Sequence, residues 1–434
     1  LGSVNTGNCN TAIGACAMHV NTSGAQNTAV GMCSLSSNTT ASNNTAVGRN
    51  SMRDTTTGTD NTAIGESSLR ENETGCCNVA VGENAMTVNT TGCFNTSIGS
   101  FSLHNNTTAS NNVAVGMKAL VSNTTGTSNT SIGTCSLCHV TTASRNTAIG
   151  FCALHENTNS DNTAIGSSSL RDTTSGTRNV AIGPNAMRNA TTADCNVAIG
   201  VSAMQNSSTG NDNVAVGNGA LQSNNTGCKN TVVGSFAGDA ITTGHENTAV
   251  GFLALTSATS SCGNVAVGMC SLHNHTTGGD NNAIGMCSQF TTSTGAANNS
   301  MGHKSMENNL TGNSNVAIGE QALRMNTTGG DNTSVGKEAL CANTTGDNNT
   351  ALGFKALKAN TTSTGNTAVG ACALLVHTQT GTDSTAVGMC ALKGSTTGYY
   401  NVAVGKSAAV NLTTGVDNIF IGRSSGSDAM INIT

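Results

Sequence analysis

A block of five residues, Asn-Thr/Val-Ala-Ile/Val-Gly, returns 25 times along this chain. A period this regular makes a solenoid or another stacked-repeat architecture the first expectation. The closing glycines run from Gly14, Gly31 and Gly48 to Gly388, Gly405 and Gly422. They are 17 residues apart, except for one step of 16 (Gly150 to Gly166) and one of 18 (Gly370 to Gly388). The consensus reads N-[TV]-A-[IV]-G-x-x-[AS]-[LM]-x-x-N-T-T-G-x-x, numbered here as positions 1 to 17. No linker or change in composition interrupts it. A single continuous domain over residues 1–434 is therefore expected, with repeats over about 10–426 and partial flanking coils at 1–9 and 427–434.

The residue types argue for strands. Position 4 is Ile or Val in nearly every repeat and position 2 is Thr or Val in most. β-Branched residues two apart, bounded by Asn and Gly, read as a short strand. A helix would need apolar spacing of three and four and would be opposed by the recurrent glycines. Position 9 adds a second apolar column of Leu or Met, broken at Gly238, Gln289, Ala409 and Gly426. Asn-Thr-Thr-Gly supplies turn chemistry. Each coil is expected to hold two or three short strands joined by tight turns. One coil is too small to stand alone, so coils about 4.8 Å apart share hydrogen bonds and side-chain columns. The expected fold is all-β, a parallel β-solenoid or β-roll of about 25 coils of 17 residues. Its core ladder is read as Ile13, Val30, Val47, Ile64 and Val81 at position 4, with Leu35, Leu69 and Leu103 at position 9.

Two columns hold only small residues. Position 8 is Ala or Ser in all 25 repeats, and position 3 is Ala or Ser in 23, Val232 and Phe420 departing. Successive strand residues face opposite ways, so position 3 faces away from positions 2 and 4. It either meets another chain or forms an inner corner of a narrow coil. Ala12, Ala29, Ala46, Ala63 and Ala80 are taken as the subunit interface. The Asn column at position 1 is read as structural, its stacked amides bonding along the repeat axis.

Blocks such as Asn27-Thr28-Ala29-Val30-Gly31 and Asn179-Val180-Ala181-Ile182-Gly183 resemble the head repeats of trimeric autotransporter adhesins. They are also similar to Asn-Thr-Ala-Val-Gly arrays of phage and viral fibre proteins. The resemblance covers about residues 10–426. It implies a left-handed β-roll, a homotrimer about the fibre axis, β-branched residues filling each roll and small residues toward neighbouring subunits.

Composition narrows the function. Charged residues make up 9 % of the chain and aromatics 2 %, with no Trp and a net charge of −5. Catalytic pockets need convergent titratable groups and bulky walls, and single-strand nucleic-acid binders need basic grooves and stacking aromatics. No apolar run approaches the ~20 residues of a membrane helix, and the first residues lack the charged and apolar regions of a signal peptide. The chain begins at Leu1, as a processed product or fragment does. No enzyme, no catalytic residue, no cofactor, no metal site, no nucleic-acid partner and no membrane insertion are expected.

Seventeen cysteines stand out. Cys16/Cys33, Cys135/Cys152, Cys270/Cys287 and Cys372/Cys390 occupy position 7 of adjacent coils, and Cys76/Cys93 stack at position 16. They are either vertical disulfide staples or reduced thiols acting as small hydrophobes; reduced ladders are expected. Cys270, His273 and His275, with Cys287 one coil on, have metal-like spacing, but coincidence is cheap with so many Cys and His. His139 beside Cys138 is the nearest Cys–His pair, without a third group to orient it. Asn-x-Ser/Thr sites such as Asn38, Asn89, Asn123, Asn326, Asn343 and Asn360 are read as turn chemistry.

The expected role is structural. The chain is read as the shaft or stalk of an extracellular or virion-surface fibre, adhesive in a second version. Its partner is itself, with a surface receptor or glycan bound through tip domains outside this sequence. The alternative is an ice- or surface-binding solenoid using a flat Thr array.

Overall fold

A computed structural model describes residues 6–378 and 381–427; the expected flanking coils at 1–9 and 427–434 fall largely outside them. The chain forms two compact units, Leu1–Asp212 and Asn213–Thr434. In the first, twelve three-residue strands run from β1 (Thr11–Ile13) to β12 (Val197–Ile199), each parallel to the next. In the second, thirteen run from β13 (Val214–Val216) to β25 (Ile419–Ile421) in the same way. No helix occurs among the described residues. The fold is an all-β parallel solenoid. Register is held through both irregular steps, Thr147 facing Thr163 and Thr367 facing Thr385.

Each coil contains one strand, at positions 2 to 4, rather than two or three. The other walls are turns, yet they are laddered too. In the second coil, the Cys33 amide bonds back to the Ala15 carbonyl, Leu35 forward to Ser51 and Asn43 back to Ala25, at 2.9–3.1 Å. These walls turn through left-handed residues at positions 7, 9 and 17, as at Cys33 (φ +57°), Leu35 (+48°) and Asn43 (+61°). A non-glycine residue there is strained by roughly 1–2 kcal/mol. Asn, Asp and Gly, which tolerate it best, are common at position 17, whereas position 9 keeps Leu or Met because it faces inward. Position 5 admits only glycine. Gly31 has φ +137°, and a Cβ on it would lie 2.4 Å from the Gly48 carbonyl oxygen.

The strand faces are the reverse of the expectation. In every strand but the terminal Thr11–Ile13, the middle residue is buried and the outer two are not. Ala29, Ala46, Ala63 and Ala80 are fully buried inside their own coil, so they are no subunit interface; Ala12 lies in the open end coil. Ile13, Val30, Val47, Ile64 and Val81 point outward and form no internal core ladder. Leu35, Leu69 and Leu103 are fully buried. The cause is steric: the position-9 side chain enters from the opposite wall and leaves room for only a methyl or hydroxymethyl group at positions 3 and 8.

Departures from this pattern compensate one another within a coil. Where position 9 is Gly238, position 3 is Val232 and position 12 is Ile241. A methyl group added at Gly238 would come within 3.0 Å of Ile241 Cδ1 and 3.3 Å of Val232 Cγ2. Gly426 is matched by Phe420, whose ring carbons lie 2.4–2.5 Å from where such a methyl would sit. Ala409 is paired with the buried Leu412.

The rest of the interior is amide. At position 1, the Asn27 amide nitrogen (Nδ2) donates to the Ala41 carbonyl at 2.8 Å, and its Oδ1 accepts the Asn44 backbone N–H at 2.9 Å. At position 12, Asn38 Nδ2 reaches the same Ala41 carbonyl at 3.1 Å and Asn21 Oδ1 in the coil below at 2.8 Å. Position 12 is not always Asn, and four of the five places where an Asn is followed by another residue leave an orphan; at the fifth, Asn157 Oδ1 accepts from Asn162 Nδ2 at 3.2 Å. Asn38, Asn123, Asn224 and Asn360 have buried Oδ1 atoms without partners, and the next coil offers Thr55, Val140, Ile241 and His377 instead of Asn. Thr55→Asn should join the Asn21–Asn38 run to Asn72 and those beyond it. Since an orphaned buried acceptor costs about 1–3 kcal/mol, denaturant unfolding should show a gain of about 1 kcal/mol; no gain would mean that the orphan is harmless.

His275 and His377 occupy this same interior column. Each lies fully buried, with Nε2 on a carbonyl (Gly278 at 2.6 Å, Gly381 at 2.7 Å) and Nδ1 unpartnered. Burial holds both below the ordinary histidine value of 6.5, outweighing these bonds. The native state then binds fewer protons than the unfolded chain, so stability is lost as pH falls through 6.5 toward the lower native value. His275→Asn should reduce the loss of stability between pH 7 and pH 5, measured by denaturant midpoints at each pH; an unchanged pH slope would refute the assignment.

Candidate interaction face

Positions 2 and 4 form one outward wall, bordered beyond the glycine by position 6. Position 4 is aliphatic or Met throughout, and Ile64 and Ile132 are 42 % and 38 % exposed. The wall widens at position 6 where Met32, Met117, Phe151, Phe252 and Met269 are also exposed. The chain has 17 Lys+Arg and 22 Asp+Glu, and none of them stands at position 2 or 4. Among the described residues they fall at positions 6, 7, 10, 11, 16 and 17, with Glu73 at 13 and Asp383 at the extra residue of the 18-residue coil. An exposed strand face normally shows polar variety; here two exposed columns exclude charge in all 25 coils.

Two threonine columns differ in what their hydroxyls do. At position 13 they donate to the next coil, as Thr22 Oγ1 to the Thr39 carbonyl at 2.9 Å and Thr327 to Thr344 at 2.9 Å. At position 2, among the described residues, Thr28, Thr45, Thr62 and their equivalents make no side-chain hydrogen bond within the chain and face outward. Position-2 hydroxyls are thus open to whatever lies against the wall. With position 4 expected in the core, position 2 on the same strand face would have pointed inward as well; the geometry turns both outward.

Stacked cysteines lie on another wall. Cys16, Cys33, Cys135, Cys152, Cys270, Cys287, Cys372 and Cys390 sit at position 7 with all 17 thiols free. Cys76 Sγ and Cys93 Sγ are 2.8 Å apart. Their hydrogen bond, with burial adding to it, pushes Cys76 up to about 12. Burial and then the stacked neighbour raise Cys152 and Cys270. An activated nucleophile would need the opposite shift.

The Cys270–His273–His275–Cys287 spacing does not converge. His275 is buried in the amide column, while His273 is stacked on Phe290 outside, with ring centroids 4.9 Å apart. The glycosylation-like Asn38, Asn89, Asn123, Asn326, Asn343 and Asn360 are fully buried ladder residues, not surface turns. Their amides are spent inside the coil, as Asn89 Nδ2 on Asn72 Oδ1 at 2.7 Å. The interior role of position 12 escaped the sequence reading. The signal was there: among its exceptions, Val140, Ile241 and Leu412 are large and apolar.

Among the described residues, no helix is long and apolar enough to cross a membrane. No known family profile and no curated protein matches this chain.

Proposed function

We propose that the chain is a non-enzymatic shaft segment of an extracellular or virion-surface fibre, in which copies associate through the charge-free wall of positions 2 and 4. One observation carries the reading: 25 coils keep charge off two outward columns, one of them aliphatic throughout, while tolerating it at positions 6, 7, 10, 11, 16 and 17; position 14, also free of charge, holds mostly Thr and Ser instead. Covering such a wall removes aliphatic surface from water at about 25 cal/mol per Å², whereas a single buried charge would oppose it strongly. A second copy is the favoured occupant because its ranks repeat at the same spacing of about 4.8 Å and can match coil for coil. Three copies is the number that the adhesin and fibre resemblance implies. Each unit alone offers a strip of roughly 60 by 10 Å, about 600 Å², which is the lower end of the area per partner of a specific interface. Adhesion would then belong to tips or to the walls left uncovered.

A second reading is favoured by one specific observation. Outward, unpaired Thr hydroxyls beside aliphatic side chains, in a regularly spaced array, suit an ordered water or crystal surface. Against it, position 2 is Val, Asn or Ile in a substantial minority of coils, for example Val79, Val113 and Asn282.

Sedimentation at low micromolar concentration should give an oligomer, and Ile132→Asp with Ile149→Asp should shift it toward monomer without loss of the β signal in circular dichroism. A stable soluble monomer that depresses the freezing point of water with thermal hysteresis would favour the second reading. A monomer without hysteresis would refute both.

A further inference from the structure

Two adjacent coils of the first unit bring metal-ligating side chains together on an outward wall separate from positions 2 and 4. Cys138 and His139 stand at positions 10 and 11 of one coil, and His155 and Glu156 at the same positions of the next. Ligand atoms of Cys138, His139 and His155 all lie within 4.8 Å of one another. Among the described residues, no other trio of His, Cys, Asp or Glu comes so close.

The hydrogen bonds around the two rings favour a metal-ready state. His155 Nδ1 lies 2.8 Å from Glu156 Oε1. His139 Nδ1 lies 3.2 Å from the His155 carbonyl oxygen and 3.4 Å from Glu156 Oε2. An N–H on each Nδ1 satisfies these acceptors and leaves the lone pair on Nε2. A carboxylate or carbonyl that holds one ring nitrogen is the usual device for orienting a ligating histidine. The rings meet edge to face with centroids 4.6 Å apart. The backbone beneath is fixed, since the His139 amide donates to the His155 carbonyl at 3.1 Å and Leu137 to Ala153 at 3.0 Å. Above the site Arg171 is neutralised by Asp172, through bonds of 2.7 and 3.1 Å.

We propose that Cys138, His139 and His155 bind one zinc-class divalent cation through one sulfur and two imidazole nitrogens, with Glu156 as the orienting carboxylate and water in the fourth position. One sulfur and two nitrogens suit Zn²⁺ or Co²⁺ and disfavour Mg²⁺ or Ca²⁺, which prefer oxygen. Burial, with the neighbouring Cys135 adding to it, pushes the Cys138 thiol up to about 11. Binding therefore displaces one proton from sulfur.

The test is titration of the reduced full chain with Co²⁺ and with Zn²⁺. One equivalent of Co²⁺ should give the intense visible spectrum of a tetrahedral, thiolate-bound ion. Cys138→Ser should remove its thiolate band, and His139→Ala and His155→Ala should each weaken binding at least tenfold. Glu156→Gln should weaken it about 10- to 100-fold, whereas Cys270→Ser should leave this equivalent untouched. These outward positions hold Val121, Ser122, Arg171 and Asp172 in neighbouring coils, so the metal-free fold should survive; matching circular dichroism checks it. Without any substitution, one equivalent of Zn²⁺ should protect Cys138 from alkylation ahead of the other thiols, read by peptide mass mapping. An octahedral Co²⁺ spectrum, binding indifferent to His155→Ala, or no selective protection of Cys138 would overturn the site.

Discussion

Every residue in the stacked part of this protein has its own counterparts from the coils above and below as neighbours. The ladder spacing of about 4.8 Å enforces this, and a side chain is acceptable only if it can sit on a copy or near-copy of itself. Amides can, because each carries donors and an acceptor: Asn61 Nδ2 bonds Asn44 Oδ1 below, and Asn78 Nδ2 bonds Asn61 Oδ1 above. Methyl groups and thiols can too. Like charges stack only against repulsion: Glu66 lies under Glu83 and Arg171 under Arg188, but several charged positions avoid it. Arg49 stacks with Glu66, Glu307 with Arg324, Glu320 with Lys337 and Lys229 with Glu246, opposite signs at one position of adjacent coils. Where Arg53 and Arg70 do stack, Asp54 and Glu71 neutralise each beside it. Exposed pairs of this kind contribute about 0–1 kcal/mol each; they relieve repulsion more than they hold the stack together.

Periodicity made the solenoid legible, because a strict spacing with one glycine per turn of the chain has few other physical solutions. The inside and outside of the strand were not legible in the same way. Bulk suggested that Val30 and Ile64 were the core and Ala29 and Ala63 the boundary. Hydrophobicity alone ranks them so, but the coil is narrow, and Leu35 or Leu69 from the opposite wall already fills it. Only the cross-section decides, and a period along the chain says nothing of distance across it. The left-handed backbone at Leu35 and Met52 was equally hidden, since neither residue type favours it; only the Asn, Asp and Gly at position 17 hinted at such turns.

The candidate sites divide along the same line. Absence of charge from positions 2 and 4 could be counted from the sequence, but it acquired meaning once those columns proved to face outward. Cys138 and His139 are adjacent in sequence and were visible as a pair. His155 and Glu156 join them only because coils stack position on position, which brings residues 16 or 17 apart into contact.

The paired departures around Gly238 carry a consequence for how such a chain changes over time. Val232, Gly238 and Ile241 together fill the space that Ala, Leu and Asn fill elsewhere, and all three lie within one coil. A duplication, deletion or exchange that moves whole coils carries the matched set along and keeps every interior filled. A crossover between Val232 and Gly238 would instead join a large residue at position 3 to a Leu at position 9, crowding one coil and hollowing another. The coil is thus the smallest segment that can be inherited without repair, and the length of the array can drift by entire coils more readily than any single interior column can drift by one residue.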